Sequence, residues 1–154
     1  MDEIQNIVFE KLTSSYLDRF VELRVKQLKE EGAKEKIDIR PNLIKYYNKH
    51  LNDKSFIAWI ALLKGEIIGT IGISIVEKPP YFGNETGKIG FLSSMYVKKE
   101  FRRNGLASKL LNMIVEESKN QGLKVIQITA SKEGVLLYNN FGFKKNDRFM
   151  QYDL

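Results

Sequence analysis

The stretch Tyr96-Val97-Lys98-Lys99-Glu100-Phe101-Arg102-Arg103-Asn104-Gly105-Leu106-Ala107-Ser108 brings together the residue types of an anion site. A strand-like run, residues 89–97, leads into it, and a helix-like run, residues 106–121, leads out. A helix start offers backbone N–H groups with no intrahelical partner. The aligned peptide dipoles add about half a positive charge at the same place. Together they attract anions, and phosphate is the usual one. Arg102 and Arg103 add charge on the approach, and Gly105, lacking Cβ, lets a phosphate come close to the backbone. Ala107 is the next smallest choice at the first inward-facing position. The pattern is neither the Gly-x-Gly-x-x-Gly of dinucleotide folds nor the Gly-Lys-Ser/Thr ending of a nucleotide P-loop. Taken alone, Arg-x-x-Gly-x-Ala also describes a solvated charged turn that caps a helix, and the residues C-terminal to it must decide.

Other chemistries are narrowed by composition. The chain holds no cysteine, so disulfides and thiolate catalysis are excluded, and a reducing, cytoplasmic setting fits. His50 is the only histidine. Near a helix end such a residue reads more readily as a surface or packing group than as a catalyst, and a zinc site or other metal is not expected. A formal charge of +6 and a pI of about 9.4 favour an anionic ligand. The basic residues are dispersed, and no face interleaves them with exposed aromatics as a nucleic-acid surface would. No apolar segment follows a basic start, so a signal peptide is not expected. The longest apolar runs are broken by Lys64 and Glu66 and are too short to span a bilayer. The 154 residues read as one domain, 1–154.

The elements that must position the anion turn can be read in order. Residues 4–12 hold the apolar run Ile7-Val8-Phe9 and read as a strand. Thr13 and Ser14 are candidate caps for a helix whose stripe is Leu17, Phe20, Val21, Arg24, Val25 and Leu28, with Gly32 placed to end it. Residues 33–40 form a charged loop. Pro41 opens a second helix at its favoured position, with Leu43, Tyr46, Tyr47, His50 and Leu51 as its stripe. Residues 55–63 and 67–76 make a hairpin around Lys64-Gly65-Glu66, with Gly69 and Gly72 marking a bulge or a close backbone approach. Residues 77–88 are a loop whose Tyr81 and Phe82 either line a substrate mouth or simply pack. Ser93-Ser94 interrupts the strand 89–97 as a bulge does. The helix after the turn buries Ala107, Leu110, Leu111 and Ile114 and stops at Gly122. A strand at 124–129 completes a parallel crossover. A short helix over 131–140 and strand pieces at 143–145 and 148–153 close the chain. The fold class is α+β: one domain around a mixed sheet.

In this order the chain resembles the GNAT superfamily of acyl-CoA-dependent N-acetyltransferases. The strand ending Met95-Tyr96-Val97 comes first, then Arg102-x-x-Gly105-x-Ala107, which matches the superfamily's Gln/Arg-x-x-Gly-x-Gly/Ala. The amphipathic helix and strand over 109–129 come next. Leu137-Tyr138-Asn139-Asn140-Phe141-Gly142-Phe143 matches Leu-Tyr-x-x-x-Gly-Phe. Each motif alone is common, and their joint order is specific. The resemblance implies a mostly antiparallel mixed sheet, splayed between two parallel middle strands and flanked by about four helices. It implies acetyl-CoA as donor and a primary amine, on a small molecule or a protein, as acceptor. The backbone N–H groups around Arg103, Asn104, Gly105, Leu106, Ala107 and Ser108, with Arg102, would hold the pyrophosphate. The backbone of Met95, Tyr96 and Val97 would meet the pantetheine arm. Ser131 stands where many members place an arm-binding asparagine, and it serves equally well as a helix cap. Tyr138 would protonate the departing thiolate. The strand 89–97 holds no acid to serve as base; Glu77, Glu85, Asp38 or an ordered water remain for that role. Another acyl donor, or a non-catalytic acyl-CoA-binding module, is the alternative. Many relatives are dimers, and Phe149, Met150 and Leu154 would suit a homodimer contact.

Overall fold

Lys64 (φ 50°) and Gly65 (φ 80°) reverse the chain between its two most apolar runs and thereby fix the central hairpin. The computed structural model describes residues 3–154. Among them, five strands form one sheet in chain order: β1 (Val8–Lys11), β2 (Phe56–Leu63), β3 (Glu66–Glu77), β4 (Lys88–Val97) and β5 (Ile126–Gln127). The first four pair antiparallel, and β5 lies parallel to β4. Four α-helices among the described residues flank the sheet: α1 (Leu17–Glu30), α2 (Arg40–Asn52), α3 (Leu106–Asn120) and α4 (Val135–Phe141).

Side chains alternate across a strand, so β2 feeds two cores. Phe56, Ala58, Ile60 and Leu62 meet Phe20 and Val21 of α1 and Tyr47 of α2. Ala61 and Leu63 face the other way, and Ile71, Ile73 and Leu92 join them against Leu110, Leu111 and Ile114 of α3. Gly72 is one of the close approaches: a Cβ there would stand 2.5 Å from the Phe56 ring. Gly32 (φ 96°) ends α1, with the Gly32 N–H donating to Lys29 O and the Ala33 N–H to Leu28 O. Pro41 lies in the first turn of α2.

Several expectations change. Residues 4–6 form a 3₁₀ turn, so the first strand is short. Thr13 caps nothing; its hydroxyl pairs with Ser15 Oγ at 2.8 Å, and a 3₁₀ turn precedes α1. On α1 the buried polar residue is Gln27. On α3 the first buried position is Leu106, and Ala107 is half-buried. Residues 143–145 and 148–153 form no strand. The polar run Lys144-Lys145-Asn146-Asp147-Arg148 separates them, and Asn146 Oδ1 accepts the Arg148 N–H in a tight turn. With β5 reduced to two residues, there is little edge for them to join. β5 is thus the edge of the sheet rather than a middle strand, and Phe149, Met150, Tyr152 and Leu154 stay exposed. The 77–88 loop joins β3 to the start of β4, at the end opposite Met95, so Tyr81 and Phe82 line no mouth at the anion turn.

Candidate active site

The expected bulge falls at the far end of β4. Gly72 faces Ser93 and Thr70 faces Tyr96, so Ser94 and Met95 together stand opposite Ile71. Ser94 takes a left-handed conformation (φ 57°), and its carbonyl accepts the Thr70 hydroxyl at 2.6 Å. A bulge bends its strand, and β4 leaves β5 accordingly. The parallel ladder covers only Gly90 with Ile126 and Phe91 with Gln127. The Lys98 N–H donates to Ile68 O of β3. By alternation Tyr96 also turns its backbone to β3, while Met95 and Val97 turn theirs to the open side. Both open carbonyls are already engaged by side chains: Met95 O accepts from Gln27 Nε2 at 2.9 Å and Val97 O from Arg102 Nε at 2.7 Å.

The anion turn comes next. A 3₁₀ turn over Lys99–Phe101 leads to Arg103 (φ 63°) and Gly105 (φ 78°), the cap of α3. The Lys109 N–H closes onto Gly105 O at 3.0 Å, so the N–H groups of Leu106, Ala107 and Ser108 precede the first intrahelical bond. A cavity of about 200 Å³ opens here, lined by Val97, Phe101, Arg102, Arg103 and Gly105 to Ser108. No carboxylate lines it. A Cβ on Gly105 would meet nothing within 4 Å, so the glycine answers to its positive φ and to open space, not to a protein neighbour. Asn104 does not line the cavity; its Nδ2 ties the turn by donating to Phe101 O (3.2 Å) and Arg102 O (3.3 Å). The two arginines divide their work. Arg102 lies over the Tyr96 ring and donates to Glu30 Oε2 at 3.0 Å, whereas Arg103 is exposed.

Glu30 also accepts the Tyr96 hydroxyl at 3.0 Å. Burial pushes Glu30 up, but the hydrogen bonds from Tyr96 and Arg102, with the charges of Arg102 and Lys99, hold its carboxyl below the ordinary range. Tyr96 is pushed up to about 12 by burial and by the Glu30 carboxylate. Tyr96 thus anchors β4 to α1 through its hydroxyl.

Tyr138 stands on α4 with its ring buried in the α3-side core, edge-on to Phe143 at 5.4 Å. Gly134 makes room, since a Cβ there would meet the Tyr138 ring at 3.0 Å. Its hydroxyl makes no hydrogen bond among the described residues, nor is it sealed from solvent. Burial, and secondarily the charge of Glu31, push it up to about 12, so the phenol keeps its proton at neutral pH. Ser131 O accepts the N–H groups of Gly134 and Val135, and Ser131 Oγ also accepts from Gly134 at 3.1 Å. Ser131 thus closes the turn ahead of α4, whose own N-cap is Gly134 and carries no side-chain cap bond.

Two of the three acids named as bases lie at the opposite end of β4, and the third is tied up in an ion pair. Glu77 pairs with Lys88 and Glu85 with Lys124, both near the start of β4, and Asp38 pairs with Arg40. Sequence reasoning missed the polar face of α1 that reaches β4. Gln27, 6% exposed, uses its Nε2 for Met95 O and for Glu31 Oε1 (3.1 Å), and its Oε1 accepts Arg24 at 3.0 Å. The one signal for it was Arg24 within an otherwise apolar stripe. His50 packs on Tyr46 (4.2 Å) and its Nδ1 meets Ser55 Oγ at 2.5 Å. Among the described residues no cluster of metal-ligating side chains gathers, and no helix is long and apolar enough to cross a membrane.

Comparison with known proteins places these features in context. The family model described as acetyltransferase (GNAT) family matches residues 14–143. The N-acetyltransferase YjgM of Escherichia coli (strain K12) is 33% identical over 110 residues, 70% of this chain and 62% of that relative, so the match spans under two-thirds of the relative's length. A predicted acetyltransferase from Clostridium acetobutylicum, solved with acetyl-CoA, superposes with a TM-score of 0.93 at 31% identity, covering 96% of both chains. An aminoglycoside N-acetyltransferase, AAC(6')-Iy, solved in complex with CoA, shares the fold (TM-score 0.75, 21% identity, 96% of this chain and 94% of that one).

Proposed function

The chain belongs to the acetyltransferase (GNAT) family, and we propose that it transfers the acetyl group of acetyl-CoA to a primary amine. The observation that carries this reading is the basic cavity at the start of α3, set directly beyond the splayed end of β4. The similar Clostridium acetobutylicum protein, solved with acetyl-CoA, supports it. In this reading the N–H groups from Arg103 to Ser108 take the pyrophosphate, with Arg103 as the free guanidinium and Asn104 holding the turn. The backbone N–H groups of Met95 and Val97 face the pantetheine arm, and one of them polarises the thioester carbonyl. Tyr96 and Arg102 hold that strand in place, and Ser131 holds the turn before α4. The amine nitrogen bonds to the acetyl carbon as the C–S bond breaks, the nitrogen gives a proton to water, the thiolate takes its proton from Tyr138, and solvent returns one to the phenol. The unpartnered phenol favours turnover over the alternative of an acyl-CoA-binding module without catalysis.

A thermal-shift panel tests the donor. A ligand that binds only the native state at about 100 times its Kd adds about 2.7 kcal/mol of stability. Acetyl-CoA and CoA are expected to raise Tm, while ATP and NAD leave it unchanged. An equal response to all four, or none to the CoA forms, removes the reading. Thiol release with longer acyl-CoAs in place of acetyl-CoA addresses the rival donor.

The absence of cysteine suits a cytoplasmic protein. The exposed Phe149, Met150, Tyr152 and Leu154 suit a homodimer contact. Light scattering at micromolar protein is expected to give twice the chain mass; the mass of a single chain removes the dimer.

A further inference from the structure

The inward face of α1 carries a cation and a carboxylate held apart by one side-chain amide. Arg24, Gln27 and Glu31 recur at i, i+3 and i+7, so they share that face. All of Gln27's amide groups are committed. Its Oε1 accepts Arg24, and its two N–H groups serve Glu31 and the carbonyl of Met95. The amide therefore cannot flip, and its polarity fixes Arg24 at one end and Glu31 at the other, both beside the bulged end of β4.

Arg24 is half-buried and has no carboxylate within 4 Å among the described residues; its one hydrogen bond is to the neutral amide. Arg40 and Arg102 contrast with it: Arg40 holds Glu22, Glu35 and Asp38, and Arg102 holds Glu30. A partly desolvated guanidinium with spare donors has an unmet demand for an anion. Ser94 is 2% exposed, and burial pushes the neighbouring Tyr47 phenol up while its hydrogen bond with the Ser94 hydroxyl and the charge of Arg24 act against that shift. At the other end, Glu31 is exposed and forms no ion pair among the described residues, and its charge is felt by Tyr138.

We infer that the acceptor is an α-amino acid or a close analogue, its carboxylate held by Arg24 and its ammonium by Glu31. An α-amino acid carries its two charges on one carbon, so its carboxylate and ammonium suit Arg24 and Glu31, which a single amide group separates. The inference rests on the acetyl-transfer reading and names its substrate class. The ammonium gives a proton to Glu31, and the freed nitrogen attacks the thioester carbonyl carbon. The N–C bond forms as the C–S bond breaks, the nitrogen gives its second proton to solvent, and the thiolate takes the phenol proton of Tyr138. Solvent returns the proton held by Glu31 to the Tyr138 oxygen.

The test sets the common L-amino acids against their amides and their decarboxylated amines, with acetyl-CoA as donor and thiol release as readout. The best amino acid is expected to exceed its amide and its amine in kcat/KM by at least about tenfold, the scale of a hydrogen bond to a charged group. Arg24→Gln is expected to erase that preference through KM and leave the calorimetric affinity for acetyl-CoA unchanged, and Arg24→Lys to restore part of it. Should the variants not fold, the wild-type panel alone decides. Amides or amines turned over as well as the acids, or no acid turned over by a protein that binds acetyl-CoA, overturns the inference. Failure of acetyl-CoA itself to bind strikes the acetyl-transfer reading instead, so the two outcomes are distinct.

Discussion

Gly105→Glu abolishes acetyl-CoA binding: calorimetric titration is expected to show an affinity at least about 100-fold weaker, or about 2.8 kcal/mol. Two costs combine. Gly105 has φ 78°, where an L side chain costs roughly 1–2 kcal/mol, a strain the turn relieves by leaving the shape that offers its N–H groups. The new carboxylate then projects into open space beside the N–H groups that the pyrophosphate needs, in a cavity that holds two arginines and no acid. Its negative charge occupies the helix start and repels the ligand. Gly105→Ala separates the two costs, since it adds the backbone strain without the charge and is expected to weaken binding far less. If Gly105→Glu binds acetyl-CoA as the parent does, the turn is only a solvated cap and the pyrophosphate lies elsewhere.

Tyr138→Phe deletes one oxygen and keeps the ring that packs against Phe143. That hydroxyl makes no hydrogen bond among the described residues, so its loss leaves no partner unpaired, and Tm is expected to stay nearly constant. Acetyl-CoA affinity is likewise expected to hold. kcat is expected to fall about 10²-fold or more, the usual contribution of a positioned acid. A phenol raised to about 12 stays protonated across the neutral range and can serve as donor there. A kcat within a factor of about two of the parent, far below the usual acid contribution, makes Tyr138 a packing residue and assigns the proton to solvent or another group.

The anion turn was legible in the sequence because its chemistry is local: a glycine, two arginines and a helix start lie within a few residues. The bulge was legible to within one residue: the sequence pointed to Ser93-Ser94, which break an apolar strand, and it falls at Ser94-Met95. The polar face of α1 was not. Gln27 sits in the sequence among exposed-looking Lys26, Lys29 and Glu30, and only the path of β4 beneath the helix turns it inward to Met95. Two of the three candidate bases were misplaced for the matching reason. Closeness along the chain to β4 favoured Glu77 and Glu85, and the antiparallel pairing of β3 with β4 carried both to the wrong end. At the C terminus, residues 148–153 read as a strand piece after a turn at Asn146-Asp147. A strand needs an edge with which to pair, and β5 offers two residues.

The last turns of α1 hold both ends of one strand segment. Gln27 engages Met95, and three residues on Glu30 engages Tyr96 and Arg102, which in turn engages Val97. If, in the proposed reading, a phosphate draws Arg102 toward the cavity, it loosens the tie to Glu30 on the helical turn that also carries Gln27. Donor and acceptor would then be thermodynamically linked: whatever factor the first changes in the second's affinity, the second must return.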